Sequence, residues 1–290
     1  LICMNPCLAN QQQYSSPLEK NNVMKKNKSL YLWIFSILFT FFIAWYQRTT
    51  GPTYPVSGKV TLNFEEISFK LPRTSDSETG EVVKIKVRDE NISGFIEYRR
   101  FKSFDSLTKV AMRKDGEYLT AVIPPQPMAG KVIYKITLIA GNEKRALTEE
   151  PVVIRYKGVV PLSILIPHIL LMFLAMLFST RTGLEALFNL HRTYRYTFLT
   201  LIFLFIGGGL LGPIIQKYAF GAYWTGWPFG HDMTDNKTVV ALFFWVIAFI
   251  KLSKNKYNRK WVIIASVVLL AVYLVPHSLL GSELDYTKTP

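Results

Sequence analysis

The chain has little cysteine and little histidine. Its two cysteines, Cys3 and Cys7, both precede the first apolar block, so no disulfide can cross-link the region that follows that block. Histidine occurs four times, and no H-E-x-x-H or comparable zinc signature is present. These shortages exclude a disulfide-stapled domain and leave no catalytic motif that identifies a reaction.

Charge is also sparse, at 19% of the residues, and acidic residues are outnumbered 20 to 34. The net charge of +14 would suit a nucleic-acid binder, but the basic residues collect beside apolar blocks in alternate connections. This distribution is the positive-inside pattern of membrane proteins, so no nucleic-acid partner is expected. The residues that form it are Lys25, Lys26, Lys28, Arg181, Arg192, Arg195, Lys251, Lys254, Lys256, Arg259 and Lys260.

Five mostly apolar blocks are long enough to cross the ~30 Å hydrocarbon core as helices. The first ends in AWYQR without a small-x-small cleavage site, which predicts an uncleaved signal anchor. We therefore expect an integral protein of a bacterial inner membrane, with its N-terminus cytoplasmic and its C-terminus extracytoplasmic. The blocks are Leu30–Tyr46, Pro161–Thr180, Tyr196–Ile215, Lys237–Leu252 and Trp261–Leu280.

Between residues 55 and 157 the pattern changes to short runs of alternating polarity separated by turn residues. Alternation predicts strands with one buried and one solvated face. The segment RKDGEYLTAVIPPQPMAGKVIYKITL resembles immunoglobulin-like and fibronectin type III-like modules, in which a strand ending in prolines leads into a strand with an alternating tyrosine. The resemblance covers this third of the chain and implies a β-sandwich, not an activity.

We therefore predict a mixed membrane protein with an N-terminal anchor helix, an extracytoplasmic immunoglobulin- or fibronectin-like β-sandwich and a C-terminal four-helix transmembrane bundle, five spans in all. Residues 1–23 are polar and patternless, and we expect a disordered tail or an over-extended reading frame before Met24. The predicted domains are residues 1–28 (disordered cytoplasmic N-terminus), 29–47 (transmembrane anchor), 54–158 (β-sandwich), 159–282 (bundle, with an outer aromatic loop over 213–237) and 283–290 (extracytoplasmic tail).

The connection between the third and fourth blocks, GPIIQKYAFGAYWTGWPFGHDMTDNKT, is the most distinctive stretch of the chain. Its aromatic residues suit a belt at the level of the lipid headgroups. Its interleaved glycines and prolines predict a rigid lid over the outer end of the bundle, beneath the β-sandwich. Gly207–Gly209 allow close helix packing, and the helix-breaking pair Gly212-Pro213 predicts the end of the third span.

The predicted topology places His168 and His277 at similar depths near the outer face, each after an aliphatic residue and a proline. An ionisable residue inside a span is expensive and suggests a function. One hypothesis is that His168 and His277 bind a b-type haem as its axial ligands, between packed helices.

A second hypothesis is a divalent metal site formed by His231 with Asp232 or Asp235, because imidazole and carboxylate ligands suit zinc or iron. A third is structural: each histidine hydrogen-bonds a nearby carbonyl or carboxylate and locks the outer loop, while Asp235 caps the fourth span. A proton or solute pathway also stays open, although the chain shows no internal repeat.

The leading expectation for function is non-catalytic, because the distinctive features gather on one side and no catalytic signature occurs. The protein is then an integral membrane subunit or scaffold that docks or organises a protein partner on its outer face, through the β-sandwich and the aromatic loop. The alternative is a membrane redox or metal protein that uses the haem or metal residues named above. No catalytic residue is assigned, and the lipid bilayer is the other expected partner.

Overall fold

The computed structural model describes residues 17–230, 232–276, 281 and 283–288, with side chains from residue 27 onward. The chain has three parts: a long apolar N-terminal helix, a central domain made mostly of β-strands in open sheets, and a set of apolar C-terminal helices. Four helical segments are long and apolar enough to cross a membrane, which indicates an integral membrane protein. These are Asn27–Thr50, Leu162–Leu187, Thr193–Phe220 and Met233–Lys254.

The fifth predicted span is not confirmed. The helix at its position, α6, has 15 described residues, which extend ~22 Å at ~1.5 Å per residue and fall short of the ~30 Å core. Residues 277–280, where the predicted span ends, lie outside the described residues. The helical elements are α1 (Pro17–Thr50), α2 (Leu162–Leu187), α3 (Thr193–Leu204), a π-helical segment (Phe205–Leu211), α4 (Gly212–Phe220), α5 (Met233–Lys254) and α6 (Lys260–Leu274).

The third span continues past the glycine–proline pair, so the prediction that it ends there is wrong. The chain is π-helical over Phe205–Leu211, and helix α4 then runs to Phe220 and ends at Gly221 in a left-handed conformation, with φ of 86°. Proline is tolerated in the first turn of a helix, where its missing N–H has no partner to lose. The wide π-helical turn allows α4 to start afresh, with Pro213 in that first turn.

The β-domain contains eleven described strands in three sheets. One sheet is the β1–β2 hairpin, the second has the order β3-β11-β9-β5-β6 with β10 also paired to β9, and the third has the order β4-β8-β7. The strands are β1 (Val56–Leu62), β2 (Glu65–Leu71), β3 (Thr74–Asp76), β4 (Glu81–Lys86), β5 (Ile92–Arg100), β6 (Thr108–Ala111), β7 (Arg113–Asp115), β8 (Tyr118–Ile123), β9 (Lys131–Ala140), β10 (Glu143–Ala146) and β11 (Val152–Lys157).

The alternating pattern places apolar side chains in a common core. Along β9, for example, Tyr134, Ile136 and Leu138 are buried at every second position. Among the described strands, all pairs are antiparallel except β3 with β11, which run parallel. The domain is therefore mostly β with open sheets, and the immunoglobulin-like topology is not confirmed.

The two ends of the β-domain differ in their surroundings. At one end, which we call the helix-facing end, the Gly158 N–H donates to the Ala219 carbonyl at 3.0 Å. Strand β9 begins at that end with Lys131 and finishes at the opposite end with Ala140. We call this opposite end the distal tip, and it also carries the β1–β2 turn. The domain thus stands on the helices with its tip directed away from them.

Candidate functional site

The first turn of helix α5 holds the aromatic loop. Asp232 is the N-cap of the helix, and its Oδ1 accepts the Thr234 N–H at 2.7 Å. The predicted cap, Asp235, lies instead in the first turn, where its Oδ2 accepts the backbone N–H groups of Thr225 (2.7 Å) and Gly226 (3.0 Å). A carboxylate near a helix N-terminus is also favoured by the helix dipole. These two acids therefore fix both the helix start and the loop beside it.

The loop is further held by Asn236, whose Oδ1 accepts the Trp227 N–H at 2.7 Å. Gly226 is needed at this close approach, because an added Cβ would lie 2.6 Å from the same Asn236 oxygen. The Trp224 indole donates to the Trp227 carbonyl at 3.1 Å. With its backbone fixed, the loop exposes Trp227 and Phe229 on the outside, where such rings suit a membrane interface or a protein surface.

The metal hypothesis concerns one residue that is not described and two that are. His231 lies outside the described residues. Asp232 and Asp235 are both buried, and their carboxylates accept hydrogen bonds from backbone N–H groups. In the described part of the chain, no group of three or more histidine, cysteine, aspartate or glutamate residues could hold a metal ion. The site proposed from His231, Asp232 and Asp235 therefore stays a prediction.

His168 makes a defined hydrogen bond within the helices. Its Nδ1 lies 2.9 Å from the Gly207 carbonyl oxygen, in the π-helical segment. A carbonyl only accepts, so we assign the hydrogen to Nδ1, which leaves the Nε2 lone pair of the neutral ring as an acceptor. The predicted second haem ligand, His277, lies outside the described residues. The haem pair stays a prediction, while the bond to a neighbouring carbonyl is the role that the structure shows for His168.

Arg155 is a buried polar residue that sequence reasoning missed. It lies on β11 and is 6% exposed, with its guanidinium carbon 4.1 Å from the centroid of the Phe220 ring. Burial lowers the pKa of Arg155, and the negative charges of Asp232 and Glu283 oppose that shift. The signal in the sequence was a lone arginine inside the apolar run PVVIRY, immediately before a predicted span.

A cavity of about 340 Å³ lies where the β-domain, the loop and the helices meet. We call it the interface cavity. It brings together His168, Asp232 and Asp235 from the predicted set with Arg155, and α1 and α6 also contribute to its wall. Its lining includes Ala44, Arg155, His168, Gln216, Asp232 and Tyr273.

A second attachment joins the β-domain to the residues that follow α6. Glu283 forms ion pairs with Lys102 and Lys131, and the Tyr286 N–H donates to the Lys102 carbonyl at 2.9 Å. Burial opposes the ionisation of Glu283, but the two ammonium groups outweigh it and hold the pKa of Glu283 below its ordinary value. We call residues 283–286 the tail strap.

We compared the chain with protein-family models, with curated proteins and with solved structures, and nothing matches it. Its function must therefore be argued from geometry. The buried carboxylates of Asp232 and Asp235 bind backbone N–H groups, and the cavity is formed by side chains from separate elements.

Proposed function

We propose that this protein is a non-catalytic integral membrane subunit that docks a protein partner through the distal tip of its β-domain. The observation that carries the proposal is the two-residue turn of the β1–β2 hairpin. Leu62 pairs with Glu65, and the turn residues Asn63 and Phe64 have φ of 48° and 63°. The Phe64 side chain is fully exposed to solvent.

Phenylalanine is an unfavourable choice for this turn. Two-residue hairpin turns with positive φ favour Asn-Gly, because glycine has no Cβ to clash with the backbone. A bulky residue in the left-handed region loses roughly 1–2 kcal/mol. Phe64 gains no packing in return, since its ring is in solvent. A strained, exposed aromatic residue is the kind of feature that supports recognition of a partner, where aromatic residues dominate binding energy.

The backbone around Phe64 is braced. The Glu65 carboxylate accepts the N–H groups of Arg88 (2.8 Å) and Asp89 (2.9 Å), and the Asn63 amide donates to the Asp89 carboxylate at 2.7 Å. The ring is therefore presented on a preorganised frame, which lowers the entropy lost on binding.

We also propose that the β-domain is an immunoglobulin- or fibronectin-like sandwich on the extracytoplasmic side of a bacterial inner membrane. The positive-inside pattern supports this orientation. With the N-terminus in the cytoplasm, the distal tip points away from the bilayer. The aromatic loop lies at the membrane surface, where it extends the docking face or contacts lipid headgroups.

Photo-crosslinking in native membranes tests this proposal. A benzoylphenylalanine at position 64 should give a discrete adduct with a partner, whereas the same group at position 104 should not. Phe104 is a matched control because it is also highly exposed but lies in the turn after β5, at the helix-facing end.

The substitution Phe64→Gly gives an independent measure. In protein without the crosslinker, it should reduce the amount of the partner that co-purifies from native membranes about thirtyfold, the ratio for a ~2 kcal/mol hot spot. It should also raise the melting temperature of the protein, since the strain is relieved. Equal adducts at positions 64 and 104, or unchanged recovery with Phe64→Gly, would contradict docking at the tip.

A second candidate function is that of a redox or metal protein, and one observation favours it. His168 donates Nδ1–H to a backbone carbonyl, as metal-ligating histidines commonly do through the nitrogen that faces away from the metal. A reduced-minus-oxidised spectrum and elemental analysis of the purified protein test it. Haem bands that disappear in His168→Leu would support this function, whereas absence of both haem bands and stoichiometric metal would remove it.

A further inference from the structure

The interface cavity has the size and lining of a site for a small amphipathic molecule. Its volume of about 340 Å³ lies within the range of roughly 300–1,000 Å³ found for ligand sites. Apart from His168, the residues that α2 contributes to the wall are apolar, namely Ile169, Met172 and Phe173. The wall beneath the β-domain is polar and includes Arg155 and Gln216. A ligand with an apolar body and a polar head matches both walls.

The charges around the cavity favour a neutral head group. The lining carries one guanidinium, Arg155, and two carboxylates, Asp232 and Asp235, all of them at most 8% exposed. A second buried cation, Lys237, does not line the cavity but lies within electrostatic range of Asp232, and it donates to the Val275 carbonyl at 2.8 Å. An ion of either sign would unbalance these opposed charges in a poorly solvated space, which is unfavourable.

The hydrogen-bonding groups favour a hydroxyl within that head. The Nδ1 of His168 is committed to the Gly207 carbonyl, so the neutral ring offers Nε2 as an acceptor. Gln216 adds no donor, because its Nε2 already donates to the Thr225 hydroxyl at 2.7 Å and to the Asp232 carboxylate at 3.4 Å. A hydroxyl group can donate its hydrogen to the His168 Nε2, whereas a carboxylate only accepts.

Gly212 keeps part of the cavity wall bare. An added Cβ would meet only the Gly207 carbonyl oxygen, at 3.9 Å, so the position faces open space. Gly212 has helical φ and ψ of −54° and −56° and directly precedes Pro213. A residue with a Cβ is disfavoured in this conformation before proline. Glycine therefore suits the backbone at this position, and it also leaves room in the cavity.

We infer that the interface cavity binds a neutral amphiphile bearing a hydroxyl group, with its apolar part against Met172 and Phe173 and its hydroxyl group toward His168. The ligand class is that of long-chain alcohols. Because α1, α2 and α6 all contribute lining residues, such a molecule has access from the apolar phase of the membrane.

Photolabelling of the full-length protein in phosphatidylcholine vesicles tests the inference. The probes are hexadecanol, hexadecanoic acid and hexadecylamine, each with a diazirine at the same carbon. The alcohol should label peptides containing Ile169–Phe173 or Gly212–Gln216 about tenfold more than the acid or amine, the ratio for ~1.4 kcal/mol. Unlabelled hexadecanol should compete with this labelling.

Two substitutions in the cavity and one control sharpen the test. Gly212→Leu should fill the cavity and reduce labelling at least tenfold. Gly209→Ala should leave it unchanged within twofold, because an added Cβ there makes ordinary contacts with Phe205 and Leu242 at 3.4 and 3.5 Å, and Gly209 does not line the cavity. His168→Phe keeps an apolar ring but removes Nε2, so it should retain labelling and lose the preference for the alcohol.

The outcomes that would overturn the inference are equally defined. Equal labelling by all three probes in the wild-type protein would remove the preference for a hydroxyl group. Labelling confined to the exposed face of α1, at Phe41, Phe42 or Trp45, would show lipid contact in place of a site. Failure of unlabelled hexadecanol to compete would remove the site itself, and this measurement on the wild-type protein does not depend on whether Gly212→Leu folds.

Discussion

One carboxylate oxygen of Asp235 accepts three hydrogen bonds from the aromatic loop, and we predict that removing it opens the loop. Oδ2 of Asp235 accepts the N–H groups of Thr225 and Gly226 and also the Thr225 hydroxyl at 3.3 Å. Asp235→Ala leaves both N–H groups without this acceptor in a largely buried place. Each such loss costs roughly 1–3 kcal/mol, so the two together should make loop opening easier by about 2–6 kcal/mol. That corresponds to a rise of about thirtyfold or more in the open population.

Asp235→Asn separates hydrogen bonding from charge. All three donors converge on one oxygen, so an amide with its carbonyl oxygen in that place satisfies them. Only the charge assistance is lost, which amounts to about 1–2 kcal/mol and a less than about thirtyfold change in opening. Asn should therefore be clearly milder than Ala.

Limited chymotrypsin digestion in detergent micelles measures loop opening, because Tyr223, Trp224 and Phe229 provide cleavage sites inside the loop. Glu149→Ala serves as the control, since Glu149 is an exposed acid of the β-domain. Cleavage of Asp235→Ala at the wild-type rate would refute the role of this carboxylate in holding the loop. An Asn variant as damaged as the Ala variant would point to a role for the charge itself, as in a metal site.

Three further predictions follow from buried or ionised groups. Glu185→Ala leaves the buried guanidinium of Arg181 without its carboxylate. The midpoint of thermal unfolding in detergent should therefore fall by the amount expected for a loss of ~3–5 kcal/mol in stability. Arg181→Met combined with Glu185→Leu should restore most of the lost stability, because no buried charge is then left unpaired. Asp232→Ala should lower stability by about 1 kcal/mol through loss of the helix cap, and Asp232→Ser should not; the same melting measurement checks both. The pKa of Glu283 is below its ordinary value of 4.5 in the folded protein, so the stabilisation from the tail strap should be complete above pH 4.5 and be lost as the pH falls through the lowered pKa. The rate at which a protease cleaves the tail, measured as a function of pH, checks this prediction. Glu283→Gln should abolish the pH dependence of that rate.

The strands of the β-domain were largely predictable, because alternation of polarity is a local property of the sequence. Runs such as EVVKIKV and GKVIYKITLI correspond to β4 and β9. The run TKVAMRK has the alternation of a single strand but forms two, since β6 pairs with β5 while β7 pairs with β8. The change occurs at Met112, which turns inward and donates its N–H to the Gly94 carbonyl at 2.8 Å. Polarity alone does not reveal which sheet a strand joins.

The helix boundaries near the site show how tertiary structure overrides a local rule. The pair Gly212-Pro213 is typical of a helix end, but the preceding π-helical turn lets helical structure continue through α4. That turn is joined to α2 by the bond from His168 to Gly207, a contact between residues distant in sequence. Likewise, Asp232 and Asp235 both fit the composition of a helix start, and the cap position was wrong by one turn.

The candidate site was predictable only in part. His168 and the two aspartates stood out because ionisable residues beside apolar spans are uncommon. Arg155 did not stand out, since its partners, Phe220 and Asp232, come from elements far along the chain. The exposed Phe64 was equally hidden, because Asn-Phe carries none of the usual signal for a tight hairpin turn. Contacts of this kind become visible only with the fold.

The tail strap has a consequence for how this protein is handled and assembled. It joins Lys131 to Glu283, residues 152 positions apart, so a segment made after α6 secures strands made before α2. During synthesis the helix-facing end of the β-domain therefore lacks this attachment until the residues after α6 have been made. An affinity tag or truncation placed after α6 therefore alters how the β-domain is attached to the helices, although the β-domain lies far away in the sequence. Such variants should be compared with proteins tagged at other positions.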